Sequence, residues 1–234
     1  MRPPTFIHER ELVASGYLPI GVDEAGCGCL AGPVVAAACA LPLDSRLGLI
    51  RDSKLLSRQQ RERLLSELRD CGAVWATGSA SVEEIDRLNI RQATYLAMCR
   101  AVEAFLDGGN SKSEIRNSKQ IQNSNFENLK LGIVSDFEFR ASDFPARPCA
   151  LVDAWTIPDL PIPQRGIVHG DRLVKSIAAA SIIAKCTRDA YMDELDRAFP
   201  TYGFRKHRGY ATVAHREAIR KFGHTVNHRL TFRA

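Results

Sequence analysis

No stretch of this chain stays apolar for the roughly 20 residues that a membrane-spanning helix needs, so no membrane association is expected. Neither a GxGxxG run nor a P-loop pattern occurs, which disfavours an α/β enzyme built around a small nucleotide cofactor. The opening MRPPTFIHERELVASG lacks the apolar segment of a signal peptide. The seven cysteines are odd in number and have no paired spacing. That excludes a simple disulfide framework and points to a reducing, cytoplasmic setting. Acidic residues are scarce in one region only. From Thr201 to Ala234 there are eight Lys or Arg against a single acid, Glu217.

What is present fits one domain. The 234 residues are 45% hydrophobic and 25% charged, enough for a sizeable core. The net charge is only +5, so the chain before Thr201 is slightly acidic. Such asymmetry fits a basic face that meets a polyanion, or equally a solvated basic helix. Four of the six histidines, His207, His215, His224 and His228, share the basic region. The expected organisation is a single domain over 1–234, with a basic C-terminal substrate-binding region over 190–234. Residues 108–145 read as a surface insertion, because GGNSKSEIRNSKQIQNSNFENLK has a low-complexity composition.

LPIGVDEAG and PVVAAACAL read as buried strands joined by a tight Gly-rich turn. Ser57 caps an amphipathic helix that closes at Gly72, and AVWATGSAS is a third strand. Ser81 and Glu84 form a capping box, and a further helix spans 90–106. PCALVDAW is a strand carrying Asp153, and RGIVHGD reads as a short strand ending in Asp171. Val174–Phe199 is a long helix, and Val213–Phe222 another. The pattern is α/β.

Four acids therefore fall at or beside strand ends: Asp23, Glu24, Asp153 and Asp171. A buried unpaired carboxylate is costly, and convergence on a metal is the usual escape. Neighbouring strand residues point to opposite faces, so Asp23 and Glu24 can share a site only where the strand bends or ends. An all-oxygen donor set favours Mg²⁺ or Mn²⁺ over zinc. Four carboxylates suit two ions ~3.5–4 Å apart, the arrangement that clamps a phosphodiester displacement. Cys27 and Cys29 make only half of a zinc site, and no second pair follows.

The chain resembles the bacterial ribonuclease HII family. The matching blocks are GVDEAG (21–26), LAGPVVAAA (30–38), DSKLLS (52–57), LNIRQAT (88–94) and LVDA (151–154). HGDRLVKSIAAASIIAKCTRD (169–189), FPTYGF (199–204), HRGYAT (207–212) and NHRLTF (227–232) follow in the same order. The resemblance implies a ribonuclease H-like fold, with a mixed five-stranded sheet flanked by helices and a helical C-terminal region. It places the catalytic, metal-binding acids on Asp23, Glu24, Asp153 and Asp171, with two Mg²⁺ or Mn²⁺ ions. The implied reaction is endonucleolytic hydrolysis of RNA in RNA–DNA hybrids. It includes cutting beside ribonucleotides embedded in duplex DNA, leaving 3′-hydroxyl and 5′-phosphate ends. Apart from the resemblance, a monomer is the default expectation.

The resemblance also implies a Gly-Arg-Gly loop that reads the ribonucleotide junction in the minor groove, and a tyrosine that packs on the next sugar. Here the loop is Gly26-Cys27-Gly28 and the tyrosine is Tyr210. Cys27 cannot supply the donors or the charge of a guanidinium. Lys54, Ser181, Lys185 and Arg208 are further substrate-contact candidates. Arg205, Lys206 and Arg229 are expected on the duplex backbone, with His207 and His228 as possible phosphate ligands. Two alternatives stand beside the nuclease: one restricted to continuous hybrids because of Cys27, and a hybrid-binding protein without catalysis.

Overall fold

A computed structural model describes residues 3–48, 50, 53–108 and 147–232. The insertion expected over 108–145 therefore lies almost wholly outside the described residues. The strands are β1 (Tyr17–Ala25), β2 (Val34–Ala40), β3 (Val74–Ala80), β4 (Arg147–Asp153) and β5 (Gln164–Ile167). They form one sheet in the order β3-β2-β1-β4-β5. β1 runs antiparallel to β2 and parallel to β4, while β2–β3 is antiparallel and β4–β5 parallel. The helices are α1 (Ile7–Ala14), α2 (Arg58–Asp70), α3 (Val82–Leu88) and α4 (Ile90–Leu106). α5 (Gly170–Leu173), α6 (Lys175–Ala198), α7 (Phe204–His207) and α8 (Val213–Phe222) complete the set.

Helices cover both faces, so the central strands lack the polar alternation of a half-exposed sheet. Ile20 and Val22 of β1 pack with Ala97, Ala101 and Phe105 of α4 on one face. Ala37, Cys39 and Trp75 pack with Ala178–Ala180 of α6 and Leu64 and Leu68 of α2 on the other. The small residues of α6 let its backbone approach the sheet closely. A Cβ on Gly21 would lie 2.1 Å from the carbonyl carbon of Ser176, so that approach requires glycine.

The capping boxes at Ser57–Gln60 and Ser81–Glu84 form as their sequences suggest. Two features differ from the sequence expectation. Asp171 does not end a strand: β5 stops at Ile167, His169 turns the chain through the left-handed region (φ 57°), and Asp171 enters the short helix α5. α1 was not expected. It contributes Glu9, buried, whose carboxylate accepts the Ser176 amide at 2.8 Å. No side chain at the N-cap of α6 does this, so a residue far away in sequence caps its first turn.

Candidate active site

The acids meet where β1 and β4 end side by side. Val22 pairs with Val152, so Asp23 and Asp153 follow at one level on adjacent parallel strands. Asp171 approaches from α5, and its amide donates to Asp153 Oδ1 at 3.4 Å. Asp23, only 5% exposed, accepts the Glu24 amide at 2.8 Å and a hydrogen bond from the Ser181 hydroxyl. Ser181 is in turn 2.9 Å from the hydroxyl of Ser53. Burial drives the Asp23 carboxyl well above the ordinary aspartate range, and Glu24 and Asp153 push it the same way.

Alternation along β1 separates the two adjacent acids. Asp23 points to the α6 face and meets Ser181. Glu24 points to the α4 face, where the thiol of Cys27 lies 3.4 Å from Oε1. Thr94 Oγ1 of α4 is 3.2 Å from the same sulfur. Among the described residues no three His, Cys, Asp or Glu side chains form a preassembled ion cage. The donor set nevertheless fits a hard divalent cation: it is all oxygen, and it crowds like charges that a cation would relieve.

Cys27 is chemically quiet. Burial first, and Glu24 second, raise its thiol to about 12, so it stays neutral at physiological pH. With Glu24, Arg91, Thr94, Asp153 and Trp155 it lines a cleft of about 230 Å³ beside the acids. The indole of Trp155 is 70% exposed, just past Ala154, which sits at φ 60°.

The Gly-rich loop behind the acids is gripped by the C-terminal region. Leu30 N–H donates to Gly209 O (2.8 Å), Gly32 N–H to Asn227 O (2.9 Å) and Arg229 N–H to Leu30 O (2.8 Å). Arg229, 1% exposed, donates through its side chain to Cys27 O at 3.0 Å and to Gly32 O at 2.8 and 3.0 Å. Arg188, also buried, donates to the carbonyls of Pro33, Ala31 and Arg208, each at 3.0 Å. Gly26 and Gly28 thus differ. A Cβ on Gly26 would strike Arg188 Nε at 2.2 Å, whereas one on Gly28 meets nothing within 4 Å.

Several of the expected substrate contacts have partners within the fold. Arg229 is a buried brace, not a duplex contact. Arg208 is committed to Asp193 at 2.6 Å and to the Asp189 carbonyl at 2.8 Å. Lys185 is held by Asp189 at 2.6 Å, which also binds Arg61 at 3.2 Å. Ser181 lies beneath Asp23 and orients it rather than facing solvent. His207 and His228 are buried in a stack with His215 and Phe204. Tyr210 does reach the surface, bridged to Cys29 and with Lys185 Nζ 5.9 Å from its ring centre. The Lys54 side chain lies outside the described residues. Among the tail's cations, Arg205, Lys206, Arg216, Arg220 and Lys221 are exposed.

The buried arginines went unassigned because charge alone does not say which way a side chain points. One signal was available. Ser181, Ala184, Arg188, Met192 and Leu195 recur at helical spacing and all are buried, which places Arg188 on the apolar stripe of α6.

A mixed sheet with carboxylates at the ends of its two central parallel strands is the frame of a ribonuclease H-like protein, and solved structures share it. RNase HII in its complex with PCNA from Archaeoglobus fulgidus superposes with a TM-score of 0.64 at 22% identity, covering 93% of this chain and 96% of that one. Bst-RNase HIII in complex with Mn²⁺ gives 0.63 at 19% identity, covering 99% and 71%. In sequence, the family model for Ribonuclease HII matches residues 20–131 and 151–234. Ribonuclease HII of Roseiflexus castenholzii is 40% identical over 99% of this chain and 89% of its own length. That of Anaeromyxobacter sp. (strain Fw109-5) is 43% identical over 96% of this chain, which spans 60% of that longer relative. The chain belongs to the ribonuclease HII family, and so to the type 2 ribonucleases H.

Proposed function

We propose that the protein is an endoribonuclease that hydrolyses the RNA strand of RNA–DNA hybrids. It also cuts on the 5′ side of ribonucleotides embedded in duplex DNA, leaving 3′-hydroxyl and 5′-phosphate ends and so opening ribonucleotide removal. The observation that carries this reading is the crowding of Asp23, Glu24 and Asp153, with Asp171 docked on Asp153, at the open ends of β1 and β4.

Asp23, Glu24, Asp153 and Asp171 would hold two divalent ions, Mg²⁺ or Mn²⁺. The related fold of Bst-RNase HIII has been solved with Mn²⁺. The chemistry such ions supply is activation of a water and stabilisation of the leaving 3′ oxygen. The remaining work belongs to the chain. Ser53 and Ser181 orient the buried Asp23 carboxylate, and the neutral Cys27 thiol tethers Glu24. The open Gly28 lets a sugar–phosphate strand approach the backbone, where the 2′-hydroxyl distinguishes RNA from DNA. Tyr210 offers a ring to the adjoining sugar, and exposed cations of the tail meet phosphates. Free thiols at all seven cysteines suit a cytoplasmic enzyme, and it acts as a monomer.

A second reading, restriction to continuous hybrids, rests on the neutral Cys27. The test uses two labelled duplexes with Mg²⁺ or Mn²⁺, one with a single ribonucleotide and one a continuous hybrid. Cleavage of both supports the full activity, and cleavage of the hybrid alone supports the second reading. If neither is cut although both are bound, the protein is a binder. Cleavage that persists unchanged in Asp171→Asn would overturn the site.

A further inference from the structure

The cleft beside the acids contains a cation that the proposed reaction leaves without a role. Arg91, the second residue of α4, is exposed, and it forms no hydrogen bond or ion pair among the described residues. Three arginines on surrounding elements are paired: Arg100 with Glu84 at 2.7 Å, Arg61 with Asp189 and Arg208 with Asp193. Among the described residues Arg91 is also the only cation lining the cleft, whose other ionisable walls are Glu24, Cys27, Tyr95 and Asp153. The loop wall contributes no charge of its own, because Cys27 presents a thiol directed at Glu24.

Glu24 and Asp153 belong to the proposed metal site, which leaves the guanidinium of this cleft without an anionic partner of its own among the described residues. The cleft's volume, about 230 Å³, is below the ~300–1,000 Å³ of pockets for drug-sized ligands. It suits one sugar–phosphate unit better than a free cofactor. A guanidinium fork matches two phosphate oxygens, and the exposed Trp155 ring gives an apolar edge for a sugar.

We propose that Arg91 binds the backbone phosphate next to the scissile one, seated in this cleft, and is a substrate-positioning cation on the α4 side of the site. This rests on the nuclease reading above and adds a residue to it. The phosphate contact fixes the register of the strand over Asp23 and Asp153, so the reacting bond is presented at the acids.

The test compares the unaltered chain with Arg91→Ala, Arg91→Lys and Arg87→Ala. Arg87 is an exposed arginine on α3 that does not line the cleft. Binding of a ribonucleotide-containing duplex is followed by fluorescence anisotropy across a salt series with chelator, alongside cleavage with Mg²⁺ or Mn²⁺. Arg91→Ala should weaken binding ~10-fold and flatten the dependence of log K on log salt by ~0.9, the mark of one lost phosphate contact. Arg91→Lys should restore the slope and only part of the affinity, because lysine keeps the charge and loses the fork. Equal effects of Arg91→Ala and Arg87→Ala, or an unchanged slope, would overturn the proposal. Failure of the nuclease reading looks different: the unaltered chain would cut neither duplex, whether or not it bound them.

Discussion

On one side of the loop from Gly26 to Pro33, Asp23, Glu24 and Asp153 crowd together and raise the proton affinity of Asp23. On the other side, Arg188 and Arg229 are at least as deeply buried, yet each is surrounded by carbonyl oxygens that accept its protons. The first group carries charge the fold does not neutralise. The second carries charge whose donors the fold has committed, although burial and then Arg188 still lower Arg229 to about 10. Unrelieved charge marks where a ligand is missing, and spent charge marks where the scaffold is braced.

Removing a carboxylate should separate activity from stability most sharply. Asp23→Asn is expected to reduce cleavage by at least ~10³-fold, while raising unfolding free energy by about 0.5–2 kcal/mol. Parallel nuclease assays and urea titrations check this, and a destabilised Asn variant would mean that the acids are structural. Removing a brace should do the reverse. Arg229→Ala orphans two carbonyls and leaves a cavity, so its unfolding free energy should drop by roughly 3–5 kcal/mol. An unshifted urea midpoint would show that the loop holds itself.

Acid should loosen the braced side through its histidines. His228 Nδ1 accepts the Thr225 amide at 2.9 Å, so its Nε2–H can donate to His215 Nε2 at 3.1 Å. His215 Nδ1–H then donates to Tyr210 O at 3.0 Å. This chain needs neutral rings. Burial, and then His215 and His224, lower His228 to about 4, and His207 and His215 are also lowered, chiefly by burial. A lowered histidine stabilises the fold fully above the ordinary value near 6.5. That contribution is lost as pH falls from there toward 4, because the unfolded chain takes up protons first. For His228 alone the loss amounts to roughly 3 kcal/mol, measurable as a falling melting temperature between pH 6.5 and 4. His228→Gln should flatten that dependence.

The smallest contrast lies within the loop. Gly26→Ala would drive a methyl into Arg188 and should cost about 1–3 kcal/mol. Gly28→Ala should change stability by less than ~0.5 kcal/mol yet slow cleavage, because the proposed reaction brings the strand to its open face. Equal effects on stability would erase the distinction.

Much of this was legible in the sequence for physical reasons. Strand alternation and helix caps are local, so β1 to β4, α2 to α4, α6 and α8 lie close to where their residues predict. Asp23 and Glu24 stand out because a buried strand rarely ends in two acids. The direction of a long cation is not local. Arg188, Arg229 and Arg208 look like surface charge, and only the packing of residues 26–33 against 207–229 turns them inward. His169 similarly redirects Asp171 from a strand end into a helix, a turn that no residue pattern announced.

The same packing has a consequence for how the protein is made. Residues 29–31 take their partners from Gly209, Tyr210, His228 and Arg229, nearly the whole length of the chain away. During synthesis the sheet can gather before those partners have left the ribosome, but the loop behind the acids cannot be closed. The nascent protein thus carries its carboxylates beside an unfinished loop until the late residues emerge, while it is still tethered to a message made of RNA.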